Sequence, residues 1–325
     1  MSKPRQTPNV TFVMLCYKQE QYVEAAIRGA LAQDYLNLDI VISDDNSSDR
    51  TFEVAEQIAS NYEGPHSIRC QKNKKNMGLT EHLNFLMSGI TTELVVVAAG
   101  DDVSLPNRVS KIVEAYLREG RPMLLSSKAY RIAADGKKLD GFAPATVIPI
   151  ENLYAVVSSL DTLDSRVGLY LGASGAWRMD LWNKYGPILY EHCWEDVVMG
   201  FRSALEGSYY HIDEPLLEYR VGIGLSTAKA TSLKDKVISR KAKALLKRDL
   251  AKQRYQDIQL SVLSPSLMEA VNEQVRRYTI MASIYTSPGD FLSAFKLDPL
   301  ESVAGVGREV YFYMRAFFSV FLRRK

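Results

Sequence analysis

Apolar residues in the first 130 positions follow two alternating periods. NVTFVMLC (9–16), LDIVIS (38–43), SIRCQ (67–71), ELVVVAA (93–99) and PMLLSSKAY (122–130) are short apolar runs, mostly rich in β-branched or aromatic residues, and predict five strands. Between them, apolar positions recur at helical spacing. The sets are Val23, Ala26, Ile27, Ala30 and Leu31; Val54, Ala55, Ile58 and Tyr62; Leu79, Leu83, Leu86 and Ile90; and, after Pro106, Val109, Ile112, Val113 and Tyr116. Alternating strands and helices predict a mostly parallel sheet with helices on both faces. Ligands bind such sheets beyond the carboxyl ends of the strands, so the residue after each strand is where chemistry is expected.

The rhythm breaks after residue 130. ADGK (134–137) signals a turn. GASGAW (172–177) is small and apolar, WEDVVMGFRSALEG (194–207) predicts a helix stopped by Gly207, and YYHIDEPLLEYRV (209–221) reads as a strand. From about residue 232 the pattern is helical, with no strand signal. Neither an internal repeat nor a low-complexity tract is evident.

Composition narrows the class. Of 325 residues, 46% are hydrophobic and 24% charged, as in a globular protein. A net charge of +2 argues against nucleic acid as a partner. The charge is uneven, since residues 234–254 hold nine lysines and arginines against two acids, Asp235 and Asp249. Cys16, Cys70 and Cys193 are widely separated and lack metal-ligand spacing, which points to a reducing compartment. His66, His82, His192 and His211 form no H-x-x-x-H pattern. The N-terminal MSKPRQTPNV has no apolar core, so no signal peptide is evident. No apolar run reaches the roughly 18 residues that span a bilayer. The expected location is the cytoplasm.

The strand ends carry the candidate site. The first strand is followed by Tyr17, the second by Asp44, Asp45 and Asn46, and the fourth by Gly100, Asp101 and Asp102. DDNSSDRT also reads as a turn with a helix cap, since Asp, Asn and Ser supply caps. Asp101-Asp102 asks for more, because one residue can cap while the other stays a charge at a buried edge. A divalent cation bridging to a phosphate would satisfy both.

With these residues in this order, the sequence resembles the inverting glycosyltransferases of the GT-A fold, glycosyltransferase family two, over about residues 9–225. The resemblance rests on CYKQEQYVEAAIRGALAQDY, DIVISDDNSSDRT, NMGLTEHLN (76–84), AAGDDVSLPNRV, WEDVVMGFRSALEG and EPLLEYRVGIGLS (214–226). It implies sugar transfer from a nucleotide-diphosphate sugar to an acceptor hydroxyl with inversion. Tyr17 would stack on the base, Asp45 would accept from the base N–H, and Asp44 would orient the ribose side. Asn84 and Arg220 would complete the nucleotide site, Arg220 at a phosphate. Asp102 would ligate Mg²⁺ or Mn²⁺, with Asp101 touching ribose or metal. Asp196 would be the general base. Glu195, about 100° away on the same helix, and Trp194 would meet the acceptor, a saccharide or lipid-linked saccharide of bacterial surface polysaccharide or lipopolysaccharide assembly.

The implied organisation is a GT-A domain over 1–225, with a nucleotide-binding half at about 1–130 and an acceptor half at about 131–225. A helical extension follows over 226–325. Two positions depart from the family pattern. Ala99 stands where an aspartate is common, and Gly222 where a histidine often completes the metal shell. Lys18, in place of an asparagine, reads as a solvated lysine sooner than a phosphate contact. Trp177 and Trp182 read as core. The G-x-G pieces in VGIGLS and GVGR do not sit between a strand and a helix, so a dinucleotide site is not expected.

Two other functions compete. A sugar-phosphate nucleotidylyltransferase would want a glycine-rich loop after the first strand, which CYKQEQY lacks. A non-catalytic nucleotide-sugar-binding protein with a decayed metal site would fit Ala99 and Gly222 but not the intact Asp196. At the C-terminus, GREVYFYMRAFFSVFLRRK (307–325) combines aromatics with terminal basic residues. It predicts a helix lying in the interface of an anionic membrane, helped by the basic stretch at 234–254. The competing reading is packing against the catalytic domain or a homodimer partner, with the basic stretch a solvated face.

Overall fold

The computed structural model describes residues 7–143, 170–223, 233–261 and 265–286. Two compact units emerge. The first holds residues up to 151, Val167–Ile188 and Glu195–Leu225, and the second holds Leu189–Trp194 together with the C-terminal helices.

The first unit is built on β1 (Val10–Cys16), α1 (Val23–Leu31), β2 (Leu38–Asp44), α2 (Thr51–Ser60), β3 (Ser67–Lys72), α3 (Gly78–Met87) and β4 (Leu94–Ala99). Next come β5 (Val103–Ser104), α4 (Arg108–Arg118), β6 (Leu124–Ile132), β7 (Lys138–Phe142), a 3₁₀ turn at Gly172–Ser174 and β8 (Ala176–Arg178). The unit ends with α5 (Met179–Tyr185), α6 (Glu195–Leu205) and β9 (Tyr209–Arg220). The sheet runs β3-β2-β1-β4-β8-β6-β9-β5, with β7 beside β6.

The first four strands pair in parallel, as the alternation predicts. The fifth strand differs from expectation. β6 does not extend the parallel run, because the three-residue β8 enters between β4 and β6 and is antiparallel to both. β6 is parallel to β9, and β5 is antiparallel to β9. A helix crossover is what makes neighbouring strands parallel, and no described helix connects β4 directly to its neighbour β8. The result is a mixed sheet whose parallel half carries the loops that hold Tyr17, Asp44–Asp45 and Asp101–Asp102.

The core follows the apolar pattern. Val10, Phe12 and Met14 of β1, Ile40 and Ile42 of β2, and Leu94, Val96 and Ala98 of β4 are buried together with Val23, Ala26, Ile27 and Ala30 of α1 and Val109, Ile112 and Tyr116 of α4. Helix α1 approaches β5 closely at Gly29, where a methyl group would lie 2.8 Å from the Ser104 carbonyl oxygen. Trp177 and Trp182 are buried, as expected of core residues.

In the second unit, α7 (Leu233–Gln259) and α8 (Pro265–Thr286) pack through Ala244, Ile280, Ala282 and Ile284. The basic stretch is not uniformly a solvated face. Arg254 is buried, and Arg248 pairs with the buried Asp249 at 2.7 Å. His192 adds a second bond to Asp249 at 2.7 Å, and Gln253 accepts from the Leu189 N–H at 2.8 Å, so α7 holds the 189–194 segment. Trp194 is half-buried in this unit. No described helix is long and apolar enough to cross a membrane. The 307–325 segment and GVGR lie outside the described residues.

Candidate active site

Register brings the three predicted strand ends side by side. Cys16 of β1 pairs with Asp44 of β2, and Leu15 with Ala99 of β4. Chain continues past each end under backbone control: Asp45 N–H donates to the Cys16 carbonyl at 2.9 Å and Gly100 N–H to the Leu15 carbonyl at 3.0 Å. Tyr17, half-buried, opens the loop after β1. That loop is tied to the loop after β2. Lys18 N–H donates to Ser47 Oγ at 2.8 Å, and Gln19 N–H to Thr51 Oγ1 at 2.7 Å. Lys18 and Asn46 both take positive φ, 53° and 58°, to make the turns. The Lys18 side chain is exposed, with its ammonium 5.2 Å from the centre of the Tyr17 ring.

Asp44 and Asp45 are both buried, and both already have protein donors. Asp44 accepts from the Ser47 N–H at 2.8 Å and the Ser47 hydroxyl at 2.5 Å. Asp45 accepts from Asn73 Nδ2 at 2.8 Å and from the N–H groups of Met77 at 2.9 Å and Gly78 at 2.8 Å. It therefore caps α3, while Asp49 caps α2 through Thr51 at 3.1 Å. The cap reading of DDNSSDRT thus has a physical basis, and any nucleotide contact must use lone pairs left over. Asn84 is placed differently from expectation. Its amide donates to the Ile188 carbonyl at 2.8 Å and accepts from the Ile188 N–H at 2.9 Å. An amide complements a peptide group at both ends, so this side chain braces α3 against the segment after α5.

Asp101 and Asp102 form the first acidic pair. Asp102 is 5% exposed. Its Oδ1 accepts from the Arg220 N–H at 2.8 Å, and its other oxygen has no hydrogen-bond partner among the described residues. Burial first and the neighbouring Asp101 second push Asp102 up to about 8, and burial raises Asp101 too. Arg108 and Arg220 offset this only in part, so the pair stays short of positive charge. Oxygen donors with unmet charge suit a hard divalent cation, so Asp101 and Asp102 fit Mg²⁺ or Mn²⁺, with the remaining ligands coming from phosphate and water. No group of three or more His, Cys, Asp or Glu gathers among the described residues. Gly222, at the expected histidine position, has φ of 89°, a left-handed conformation that disfavours a side chain.

Arg220 is buried and largely committed to carbonyls. Nε donates to Asp101 O at 2.9 Å, and Nη1 to Ala133 O at 2.9 Å and Ala134 O at 3.0 Å. Its guanidinium lies 4.7 Å from the Tyr22 ring centre. Nη2 alone has no hydrogen-bond partner among the described residues, which leaves one donor for a phosphate.

Glu195 and Asp196 form the second acidic pair, in the first turn of α6. Asp196 Oδ1 accepts from the Val197 N–H at 2.8 Å, and the Gly172 N–H also donates to this carboxylate. The two side chains do not diverge as far as the 100° offset suggests. A methyl group on Gly172 would lie 2.8 Å from Glu195 Oε1, 3.2 Å from Asp196 Cβ and 3.4 Å from Asp196 Oδ2. Both acids therefore reach the same glycine, because the longer Glu195 side chain bends back. Burial raises both above the usual carboxylate range, with Asp196 adding to the effect on Glu195.

Tyr219 precedes Arg220 in the EPLLEYRVGIGLS segment on which the resemblance rests. Its hydroxyl is pushed up by burial, then by Asp102, Asp101 and Asp196. The Val97 N–H bond to Gly175 O at 3.0 Å ties β4, which runs into the first pair, to the turn beside the second. Tyr170 lies behind the second pair and bonds Trp177 Nε1 at 2.9 Å.

The comparisons agree with this fold. The family model described as "Glycosyl transferase family 2" matches residues 11–138. Residues 11–138 therefore resemble glycosyltransferase family two, and the fold is that of the GT-A glycosyltransferases. It is 34% identical over 114 residues to "Putative glycosyltransferase EpsE" of Bacillus subtilis, covering 35% of this chain and 40% of that protein. An "Uncharacterized glycosyltransferase" of Haemophilus influenzae is 29% identical, covering 33% of this chain and 32% of that protein. These matches span less than half the length of either relative. Among solved structures, S. aureus TarS 1–349 in complex with UDP-GlcNAc has a TM-score of 0.57 at 14% identity, covering 95% of this chain and 81% of that one. Mannosyltransferase PcManGT from Pyrobaculum calidifontis in complex with GDP-Man and Mn²⁺ has a TM-score of 0.50 at 14% identity, covering 99% and 89%.

Proposed function

We propose that the protein transfers a sugar from a nucleotide-diphosphate sugar to an acceptor hydroxyl, with inversion and with a divalent cation, in surface polysaccharide or lipopolysaccharide assembly. The observation that carries the reading is the two acidic pairs, Asp101 and Asp102 just past β4 and Glu195 and Asp196 against Gly172, on a strand and a turn that are hydrogen-bonded to each other. An inverting displacement needs two separate things: charge neutralisation on the diphosphate and a base on the acceptor side. Asp101 and Asp102 suit the first and Asp196 the second.

In the proposed step, the acceptor oxygen attacks the anomeric carbon from the face opposite the diphosphate. Its proton passes to Asp196, the new C–O bond forms, and the old C–O bond breaks with its electron pair leaving on the diphosphate. Asp102 and Asp101 would hold the cation, which would supply charge neutralisation to that leaving group. The raised affinity of Asp196 for protons suits a base, since burial leaves its carboxylate poorly solvated. Arg220 Nη2 adds a donor on the phosphate side. The neighbours co-crystallised with UDP-GlcNAc and GDP-Man support a nucleotide-sugar donor in this fold.

The test is Asp196→Asn in the full chain, with a panel of nucleotide sugars, Mn²⁺ and saccharide acceptors. Wild-type protein should release nucleoside diphosphate in an acceptor-dependent way. The variant should lose on the order of a hundredfold to ten-thousandfold in turnover while binding nucleotide as tightly as wild type. A variant that cannot bind nucleotide would move Asp196 to the donor site and overturn the assignment.

A further inference from the structure

Arg108 is fully buried, at 0% exposed, yet none of its hydrogen bonds goes to a carboxylate. Nη1 donates to Ser104 Oγ at 2.9 Å, while Nη2 donates to both Val97 O and Ala173 O at 2.8 Å. Nε has no partner among the described residues. The guanidinium lies 5.7 Å from the centre of the Phe12 ring. Burying a cation this way is expensive, and core replacements by apolar side chains are often tolerated. The nearby Asp102 carboxylate favours its charge, but the fixed geometry of its fork asks for a reason of its own.

The acceptors supply one. Val97 belongs to β4, the strand that runs into Asp101 and Asp102. Ala173 is the middle of the 3₁₀ turn whose Gly172 abuts Glu195 and Asp196. The same strand and turn are joined once more, by the Val97 N–H donating to Gly175 O at 3.0 Å. We infer that Arg108 is a positioning residue: it locks the 172–175 turn, and through it Asp196, to the strand that ends in the first acidic pair. One planar fork reaches β4, β5 and the turn together. A lysine ammonium, without that fork, cannot match its geometry. The inference rests on the transfer reading given above.

The test compares wild type, Arg108→Lys and Arg108→Met as full chains. Amide hydrogen exchange is followed on the peptide around residues 170–178, with β1 and β2 peptides as internal controls. Ser174 and Gly175 N–H groups bond within the turn, to Leu171 O and Gly172 O. They should exchange on the order of tenfold faster in both variants, with β1 and β2 unchanged. With a working donor, kcat of Arg108→Lys, which keeps a positive charge near Asp102, should fall about tenfold or more, since small misplacements of a reacting group cost that much, and its donor KM should stay within about twofold.

The acid limb of kcat should also move to higher pH. The Gly172 N–H favours the ionised form of Asp196, so losing that bond raises its proton affinity. Glu195 beside it, and Tyr170 and Tyr219 across from it, are untouched by the substitution. Unchanged exchange in the turn, or exchange rising equally throughout the sheet, would overturn the inference, as would an unchanged acid limb in an active variant. Should Arg108→Met fail to fold, Arg108→Lys and Ser104→Ala decide by the same measurements. If wild type transfers no sugar from any donor, the transfer reading fails, while the exchange data still settle whether Arg108 holds the turn.

Discussion

Replacing Gly172 by alanine places one methyl group into the space occupied by the second acidic pair. The position has no left-handed backbone requirement, so the substitution acts through space alone. The new carbon would sit 2.8 Å from Glu195 Oε1 and 3.2 Å from Asp196 Cβ. The Glu195 carboxylate ends a flexible side chain and can rotate away. Asp196 Cβ cannot, because it is fixed to the helix backbone. Comfortable carbon–carbon contacts lie at about 3.5–4.0 Å, so Asp196 must shift by about 0.5 Å. A 1 Å misplacement in an active site can cost about a hundredfold, so half that should cost roughly tenfold in kcat. The assay is steady-state transfer at saturating donor, with nucleotide affinity measured by calorimetry and stability by thermal unfolding. Expected are a tenfold lower kcat, unchanged nucleotide affinity and a Tm within a few degrees of wild type. Wild-type kcat would refute the claim that this glycine makes room for the base. Equal loss of kcat and nucleotide binding would refute its separation from the donor side.

Other outcomes follow from the same geometry. The transfer rate should fall as pH is lowered through a midpoint above the ordinary carboxylate range, because burial holds Asp196 protonated further up the scale and the base must be ionised; a pH–rate profile flat down to about pH 4.5, near an unperturbed carboxylate, would contradict it. Asp102→Asn should weaken metal-dependent nucleotide binding and turnover, and wild-type activity in excess chelator would remove the cation from the scheme. Gly29→Ala should destabilise the first unit by about 1–3 kcal/mol, as overpacking against backbone does, because the methyl meets the Ser104 carbonyl at 2.8 Å; chemical denaturation measures it. The full chain should co-sediment with anionic vesicles at low salt and a chain ending near residue 305 should not; a full chain left in the supernatant would assign the terminal segment to packing or dimerisation.

The parallel half of the fold was legible because buried strands read as continuous apolar runs and their ends carried residues that runs exclude. Tyr17, Asp44, Asp45, Asp101 and Asp102 stand out in the sequence that way, and the register sets the three strand ends side by side. The mixed half was less legible. β8 is three residues long and β5 two, below the length at which period 2 can be counted. The close approach of Gly172 to the acids joins residues more than twenty apart, and nothing local marks it. Arg108 opens an amphipathic helix, where a charged residue ordinarily signals solvent, and only its long-range acceptors explain its burial. Asn84 and Asp45 carry structural bonds that the sequence does not announce. Their types suit ligand contact, but the peptide groups of Ile188, Met77 and Gly78 claim them first.

The ties between the loops after β1 and β2 bear on how fast a donor can be captured. Ser47 and Thr51 hold the backbone of Lys18 and Gln19, so under the role proposed for Tyr17 the conformational entropy of presenting its ring is lost when the chain folds and not when a nucleotide arrives. Nucleotide association should then be a single fast phase, linear in ligand concentration, with no slow loop-ordering step behind it. Ser47→Ala and Thr51→Ala would transfer that entropy loss to the binding event, lowering affinity without removing any contact to the nucleotide itself.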